Sequence, residues 1–184
     1  MFRLAVLICC LASFAHGAPA RYTLDAAQSE VTFSYTFEGA EKQGEMPVQS
    51  ADMLIDLDNL SASQVDVSLN AHGARAGFVF ATKALKSPQV LDTQAHPTIR
   101  FQSSQFKGDL NGATVTGTLT VRGVTRPVTL KAELFRQRGT DLGDRSKLTV
   151  LLTGSIDRRD FGAVGFPGFV GPHIGLRIMA RITQ

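Results

Sequence analysis

The chain contains no tryptophan, only two tyrosines and only two cysteines among its 184 residues. Outer-membrane barrels carry girdles of aromatic side chains at both membrane interfaces, so this shortage of Trp and Tyr argues against that class. Both cysteines, Cys9 and Cys10, lie near the amino terminus, in a segment that we expect to be removed. A mature chain without them has no disulfide, no thiol nucleophile and no thiolate-bound metal.

Residues 1–20 have the pattern of a cleaved secretory signal peptide. Arg3 precedes the apolar run Leu4–Ala15, which is too short to span a bilayer as a helix. Small residues allow cleavage after Ala20 or after Gly17. No later stretch is long and apolar enough to predict a transmembrane segment. We therefore expect an exported protein whose single domain covers residues 21–184.

The charges are few and unevenly distributed. The formal net charge is +3, a surplus too small to indicate a nucleic-acid partner. Residues 21–70 carry two basic and nine acidic side chains, whereas residues 71–184 carry 16 basic and seven acidic ones. This pattern predicts a dipolar surface. The alternative is a basic rim for an anionic headgroup or a membrane surface.

Apolar and polar residues alternate with a period of two through most of the chain, which is the signature of half-buried strands. The alternating segments are residues 31–37, 53–57, 65–71, 99–103, 115–121, 128–134, 148–156 and 174–182. Short turn sequences between most of them favour antiparallel neighbours. A sandwich and a closed barrel both fit this all-β pattern, and eight long strands with short turns favour an eight-stranded antiparallel barrel.

Two segments break the alternation. Residues 73–91 predict one or two short helices packed over an end of the sheet, with Ala81–Lys86 helical and Ser87-Pro88 as the break. Phe161–Gly171 combines three phenylalanines with several glycines. Such a loop either plugs an end of a barrel or forms a lid over an apolar ligand.

The sequence offers little that indicates catalysis. No serine lies in a Gly-x-Ser-x-Gly elbow, and no paired histidine spacing predicts a metal site. Arg158 and Arg159 lie between two aspartates and are interpreted as a surface ion-pair cluster. The mature chain retains three widely separated histidines: His72, His96 and His173.

Several motifs together resemble the YceI-like family. Gly117–Val128 is close to the family's Gly-x-Leu-Thr-x-x-Gly-Val-Thr-x-Pro-Val hallmark, and Ile156–Gly162 is similar to its Arg-x-Asp-Phe-Gly element. Weaker likenesses occur at Asp25–Phe33, Lys83–Asp92 and His96–Phe101. In chain order, these segments cover nearly all of the expected mature protein.

The resemblance implies a lipocalin-like barrel that is exported to the periplasm and binds a long isoprenoid lipid in an internal tunnel. Isoprenoid quinones and isoprenyl phosphates are the ligand classes it implies, with no cofactor and often a homodimer. One position departs from the family pattern. The family usually has Gly-x-Phe after the first strand, and Met46 follows Gly44 and Glu45 here. A flexible thioether therefore replaces an aromatic ring at that end.

We expect the ligand-binding side chains to be the inward members of the strands together with residues that close the ends. The inward set is Phe33, Tyr35, Val67, Leu69, Ile99, Phe101, Leu119, Leu130, Leu152 and Ile178, and the closing set is Phe78, Leu85 and Phe161. Arg75 or Arg159 is the candidate partner of an anionic headgroup. Two other interpretations stay open, a fully packed scaffold protein and an enzyme acting on a lipid or stress metabolite.

Overall fold

The structure, a computed structural model, describes residues 19–137, 139–141 and 143–184. Apart from its last two residues, the expected signal peptide lies outside the described residues. The strands are β1 (Ala20–Leu24), β2 (Glu30–Phe37), β3 (Ala40–Glu45), β4 (Val48–Ile55), β5 (Gln64–Asn70), β6 (Thr98–Asp109), β7 (Gly112–Val121), β8 (Val124–Arg136), β9 (Lys147–Asp157) and β10 (Val170–Thr183). One α-helix, α1, spans Val79–Lys86.

Eight of these strands close into an antiparallel barrel, as the sequence pattern predicts. The hydrogen-bonded order runs from β1 to β4 and then through β5, β6, β7, β8 and β9 to β10. The ring closes where β10 pairs with β1, at Ile182 opposite Leu24 and Thr183 opposite Thr23. The hairpin β2–β3 continues the wall, because β2 pairs with the earlier part of β10 from Val170 to Met179.

The wall of the barrel has two breaks, one between β1 and β2 and one between β3 and β4. Both β1 and β2 pair with the same edge of β10, and the turn between them is held by Asp25, whose carboxylate accepts from the backbone amides of Ala27 and Gln28 at 3.1 and 3.2 Å. Between β3 and β4 stands Pro47, which has no amide hydrogen to donate to a ladder. Each break lets the wall bend around the barrel.

Apolar side chains point inward and polar side chains outward along the strands. The core divides into a large cluster around Phe33, Tyr35 and Leu130 and a smaller one around Tyr22 and Ile182. The smaller cluster occupies the end where β10 meets β1. Threonines and charged residues cover the outside, where one ion pair joins Arg100 on β6 to Asp66 on β5 at 2.5 Å.

Strands β1 and β3 are absent from the sequence prediction. In β3 nearly every residue is exposed, so no alternation marks it as a strand. The helix begins two residues before the expected Ala81. Short 3₁₀ turns at 60–62, 71–73 and 158–161 complete the connections. No helix in the described part of the chain has the length and apolarity needed to cross a membrane.

Candidate ligand-binding site

An apolar tunnel of about 640 Å³ runs through the barrel. At one end it is bordered by α1 and by the loop between β9 and β10, including Phe80, Phe166 and Phe169. At the other end it reaches Leu60 and Leu110, in the β4–β5 and β6–β7 connections. The volume lies within the range of about 300–1,000 Å³ that is typical of small-molecule sites.

The structure brings all thirteen candidate binding residues to the wall of this tunnel. They are Phe33, Tyr35, Val67, Leu69, Phe78, Leu85, Ile99, Phe101, Leu119, Leu130, Leu152, Phe161 and Ile178. The period-two pattern selects the ten strand residues, because every second side chain of a barrel strand points inward. Phe78, Leu85 and Phe161 come from the two segments predicted to close the ends. Lining a tunnel is a geometric fact, and contact between these residues and a ligand stays a prediction.

Two aromatic side chains are seated on glycines of the neighbouring strand. Phe33 on β2 faces Gly44 on β3, and a Cβ at Gly44 would overlap the Phe33 ring. On β7, a Cβ at Gly117 would lie 2.7 Å from the ring of Phe101 on β6. Glycine at these positions lets the rings lie against the wall instead of filling the tunnel.

Met46, the position that departs from the family pattern, lines the same tunnel. Its side chain is buried and belongs to the larger core cluster. The backbone amide of Met46 donates to the carbonyl of Val31 at 2.9 Å, which fixes its place beside β2. An unbranched thioether at this point adapts its shape to neighbours more readily than a ring.

Arg158 is a buried cation at the edge of the tunnel, with only 7% of its surface exposed. Its guanidinium donates to four backbone carbonyls of the β9–β10 connection and the start of β10. Nε reaches the carbonyl of Gly171 at 2.9 Å, Nη2 that of Val170 at 2.9 Å, and Nη1 that of Gly165 at 2.8 Å and that of Ala163. Burial lowers the pKa of Arg158. The guanidinium therefore holds this loop in shape.

The sequence interpretation of Arg158 as part of a surface ion-pair cluster is wrong for that residue and right for its neighbour. Arg159 is exposed and pairs with Asp157 at 2.5 Å. The hydrogen bond from Arg159 lowers the pKa of Asp157 to about 2. The Asp157 carboxylate also accepts from the amide of Arg159 at 2.9 Å and so caps the 3₁₀ turn.

Tyr35 anchors the segment that leads into α1. Its hydroxyl donates to the carbonyl of Ala76 at 2.7 Å, and burial raises the pKa of Tyr35. The amide of Ala76 in turn donates to Thr82 Oγ1 within the helix at 3.0 Å. These two hydrogen bonds fix the segment between β5 and α1 against β2 and the helix.

The two candidate headgroup residues lie outside the tunnel lining. The side chain of Arg75 is 75% exposed and stands 3.5 Å from Glu45. A two-way backbone pairing between Glu45 and Arg75, at 2.9 Å in each direction, fixes its position beside β3. Arg159 is held by Asp157. Both guanidinium groups are therefore paired with carboxylates, and a role in binding an anion stays a prediction.

The three histidines of the expected mature chain are dispersed over separate contacts. His72 Nδ1 is 3.5 Å from Thr93 Oγ1, His96 approaches Gly123, and His173 pairs with Asp157 in the register of β9 and β10. Among the described residues, no hydrogen bond joins a histidine to an acid. The described ranges likewise contain no group of three or more His, Cys, Asp or Glu side chains arranged to hold a metal.

Several residues of the tunnel wall were not predicted from the sequence. Phe37, Leu176 and Ile174 continue strand patterns that were recognised, so the same alternation could have identified them. Phe80 stands in the helix, where the two-residue period does not apply. Arg158 begins the segment that is similar to the family's Arg-x-Asp-Phe-Gly element, but its burial depends on carbonyls that only the folded loop brings together.

Sequence comparison connects the chain with bacterial proteins. The family model described as the YceI-like domain matches residues 22–182. A UPF0312 protein of Pseudomonas aeruginosa is 34% identical over 107 residues, which are 58% of this chain and 56% of that protein. Protein YceI of Escherichia coli is 34% identical over 106 residues, which are 58% of this chain and 55% of the Escherichia coli protein. The chain thus aligns with little more than half the length of these curated relatives.

Structural comparison gives a similar result over more of the chain. BcnA of Burkholderia cenocepacia superposes with a TM-score of 0.76 at 16% identity, covering 88% of this chain and 100% of that one. A polyisoprenoid binding domain from Saccharophagus degradans, implicated in plant cell wall breakdown, superposes with a TM-score of 0.65 at 11% identity, covering 88% and 97%. At these identities the likeness concerns the fold.

Proposed function

The chain belongs to the YceI-like family, and from that premise we propose that it is an exported, non-catalytic binding protein for a long isoprenoid lipid. The observation that carries the proposal is the apolar tunnel through the barrel, lined almost entirely by aliphatic and aromatic side chains. Such a lining has few hydrogen-bonding groups to offer a polar substrate, whereas it matches a hydrocarbon chain along its whole length.

The tunnel volume sets the length of chain that fits. Allowing about 30 Å³ for each heavy atom, as in liquid water, about 640 Å³ holds roughly twenty atoms. This corresponds to about four isoprene units. A longer lipid would have to leave its remaining units outside the barrel or bend within it.

Apolar burial is sufficient to hold such a chain without many polar contacts. At about 0.8 kcal/mol per buried CH₂, an isoprene unit contributes roughly 3–4 kcal/mol before ordering costs. If half of that gain is offset by desolvation and lost freedom, four units leave roughly 6–8 kcal/mol, close to a micromolar dissociation constant. That affinity suits a carrier that must also release its ligand.

The fold comparison supports the same ligand class, since the domain from Saccharophagus degradans is described as polyisoprenoid binding. An isoprenoid quinone or an isoprenyl phosphate would place its chain in the tunnel and its headgroup at an end. Arg75 and Arg159 are the proposed partners of an anionic headgroup, which would compete there with Glu45 and Asp157.

Export to the periplasm and removal of residues 1–20 are parts of the proposal. Ala20 already pairs with Ile55 in the barrel, so cleavage after Gly17 would keep β1 whole and cleavage after Ala20 would shorten it by one residue. The proposal includes no cofactor and no nucleic-acid partner. A homodimer, which the family resemblance implies, stays a prediction that sedimentation tests.

The test is to express the full chain in a Gram-negative host and purify it from the periplasmic fraction without detergent. Intact mass identifies the amino terminus, and native mass spectrometry followed by organic extraction identifies what is bound. We expect one isoprenoid per barrel. A protein that carries no lipid and takes up none from an isoprenoid panel would contradict the proposal and favour a scaffold. Recovery only from the cytoplasm would contradict export.

A further inference from the structure

Exposed apolar side chains are concentrated at one end of the barrel. Seven large hydrophobic residues are exposed in the described part of the chain, and six of them belong to α1 with its preceding residue or to the β9–β10 loop. We call these six the aromatic rim: Phe78, Val79, Phe80, Val164, Phe166 and Phe169. The seventh is Phe135, near the far end of β8. Apolar side chains that cluster on an exposed surface often mark a binding site.

The two halves of the rim form one continuous surface. The ring of Phe37 stands 5.6 Å from that of Phe78 and 6.4 Å from that of Phe169, measured between centroids. The amide of Gly165 donates to the carbonyl of Gln89 at 2.8 Å, which joins the loop to the segment that follows α1. Four of the six rim residues also line the tunnel. The rim therefore surrounds one mouth of the tunnel.

The charges around the rim fit a lipid surface. Residues 161–172 contain no charged side chain, and residues 74–91 contain Arg75, Lys83 and Lys86 without any acid. Asp160 and Asp92 border these two segments, and on the neighbouring hairpin the backbone amide of Glu38 donates to the carbonyl of Phe169. Interfacial protein segments combine inserted aromatic and aliphatic groups with lysines at headgroup level. Here the apolar contribution is the larger one.

The helix that carries Val79 and Phe80 packs on the barrel through Ala81 and Leu85 and leaves its first two residues exposed. None of its residues is buried, and no side chain caps its amino terminus. The flanking segments are fixed instead, by Tyr35 on one side and by the hydrogen bond from the Leu91 amide to the Leu85 carbonyl on the other. Phe80 is 81% exposed, so its side chain can leave the barrel without opening a void in the core.

We propose that the aromatic rim docks on a lipid bilayer, inserts Phe80 and Phe169 among the acyl chains, and joins the tunnel mouth to the membrane interior. The proposal rests on the proposed function in one respect, namely that an isoprenoid has to pass between bilayer and tunnel. A docked mouth removes the step in which the hydrocarbon chain crosses water, and that step would cost roughly as much as tunnel burial gains.

The first experiment measures insertion with vesicles that contain no isoprenoid. The chain has no tryptophan, so Phe80→Trp provides a single reporter, and Phe135→Trp is the matched control. Phe135 is also exposed, at 47%. It lies eleven residues along β8 from Val124, the first residue of that strand, and at about 3.3 Å per residue the two are roughly 35 Å apart. With 3:1 phosphatidylcholine and phosphatidylglycerol brominated in the acyl chains, we expect quenching of the Phe80→Trp fluorescence and none of the control.

The second experiment compares the vesicle partitioning of the wild type, the double variant Phe80→Ser/Phe169→Ser and the control Phe135→Ser. Intact mass spectrometry first verifies that all three proteins have the same amino terminus. Losing two inserted rings should weaken partitioning at least tenfold, while the control keeps the wild-type value. Equal partitioning of the three proteins, or equal quenching of both tryptophans, would overturn the proposal. So would a rim that drives self-association instead, seen as oligomers that the double variant abolishes while no form binds vesicles.

These outcomes are separable from those of the proposed function because the vesicles lack isoprenoid. A protein that binds vesicles through the rim but no isoprenoid retains the docking inference and loses the carrier function. A protein that binds isoprenoid in solution but does not dock on vesicles retains the carrier function and loses the docking inference.

Discussion

The size of the tunnel predicts that affinity for isoprenoid alcohols rises with chain length and then stops rising. The perturbation is a series with two, three, four and six or more isoprene units. Each added unit that enters the tunnel should gain roughly 1.5–2 kcal/mol after ordering costs, a factor of about 10–30 in the dissociation constant. Since about 640 Å³ holds roughly four units at about 30 Å³ per heavy atom, the gain should end there.

A pair of variants links the limit to the tunnel itself. Ala180 lines the tunnel near the end where β10 meets β1, so Ala180→Phe introduces a ring about as large as one isoprene unit into the path. Thr118 points outward on β7 and is exposed, which makes Thr118→Phe the matched control. We expect the limit to fall by one unit in Ala180→Phe and to stay unchanged in Thr118→Phe.

The assay is displacement of an apolar fluorescent dye, with the alcohols delivered from cyclodextrin at a fixed concentration. Urea unfolding of each variant in parallel separates a blocked tunnel from a damaged fold. An affinity that rises as steeply from four to six units as from two to four, or a limit that does not move in a well-folded Ala180→Phe protein, would refute the claim that the tunnel volume sets chain length.

Three further predictions concern the charged residues near the rim. Arg158→Met removes four hydrogen bonds from a charged donor, each worth about 1 kcal/mol net, and relief of desolvation offsets part of the loss, so the free energy of unfolding measured in urea should fall by about 2–4 kcal/mol. Arg159→Met, the exposed control, should change the free energy of unfolding by less than about 0.5 kcal/mol. Equal effects of the two substitutions would show that the buried guanidinium does not hold the loop. The pKa of Asp157 is lowered from 3.8 to about 2, so its ionised form favours folding, and the stability it contributes above that ordinary value is lost as the pH falls through about 2. Asp157→Asn should flatten the acid-unfolding profile in that window, and an unchanged profile would contradict the assignment. Arg75→Ala and Arg159→Ala should weaken binding of an isoprenyl phosphate and leave binding of the matching alcohol unaffected. If both variants bound the phosphate as tightly as the wild type, these residues would be removed from the headgroup site.

Alternation was sufficient to predict most of the strands and their inner face, and the number of long strands with short turns favoured a barrel over a sandwich. Apolar residues such as Leu119 and Leu130 occupy every second position of long strands. Because the interior-facing residues of a barrel alternate with exterior ones, these side chains all point into the same interior. The same rule fails where a strand has no buried face. In β3 only Gly44 is buried, and glycine carries no hydropathy signal, so the strand that seats Phe33 left no trace in the pattern.

The tunnel ends could not be predicted for a different reason. Arg158 is charged and adjacent to acids, which is the usual composition of a surface cluster, yet its guanidinium is buried among four carbonyls of a folded loop. Phe161 and Phe169 share one glycine-rich segment. One of them is buried in the core and the other exposed at the rim. The plug interpretation describes the buried part of that loop, and the lid interpretation of its exposed part stays a prediction.

An apolar tunnel of this volume also has a consequence for stability. Unfilled space in a protein core costs about 24 cal/mol per Å³, so about 640 Å³ would correspond to at most about 15 kcal/mol. That bound is as large as the whole stability of a typical domain, about 5–15 kcal/mol. Without its ligand the barrel therefore loses a large part of the net stability that its two core clusters and closed ladder supply. A ligand that fills the tunnel recovers the contacts that the lining lacks. Binding and folding are then thermodynamically linked, so a loaded barrel should resist unfolding more than a stripped one by an amount that grows with the length of chain inside.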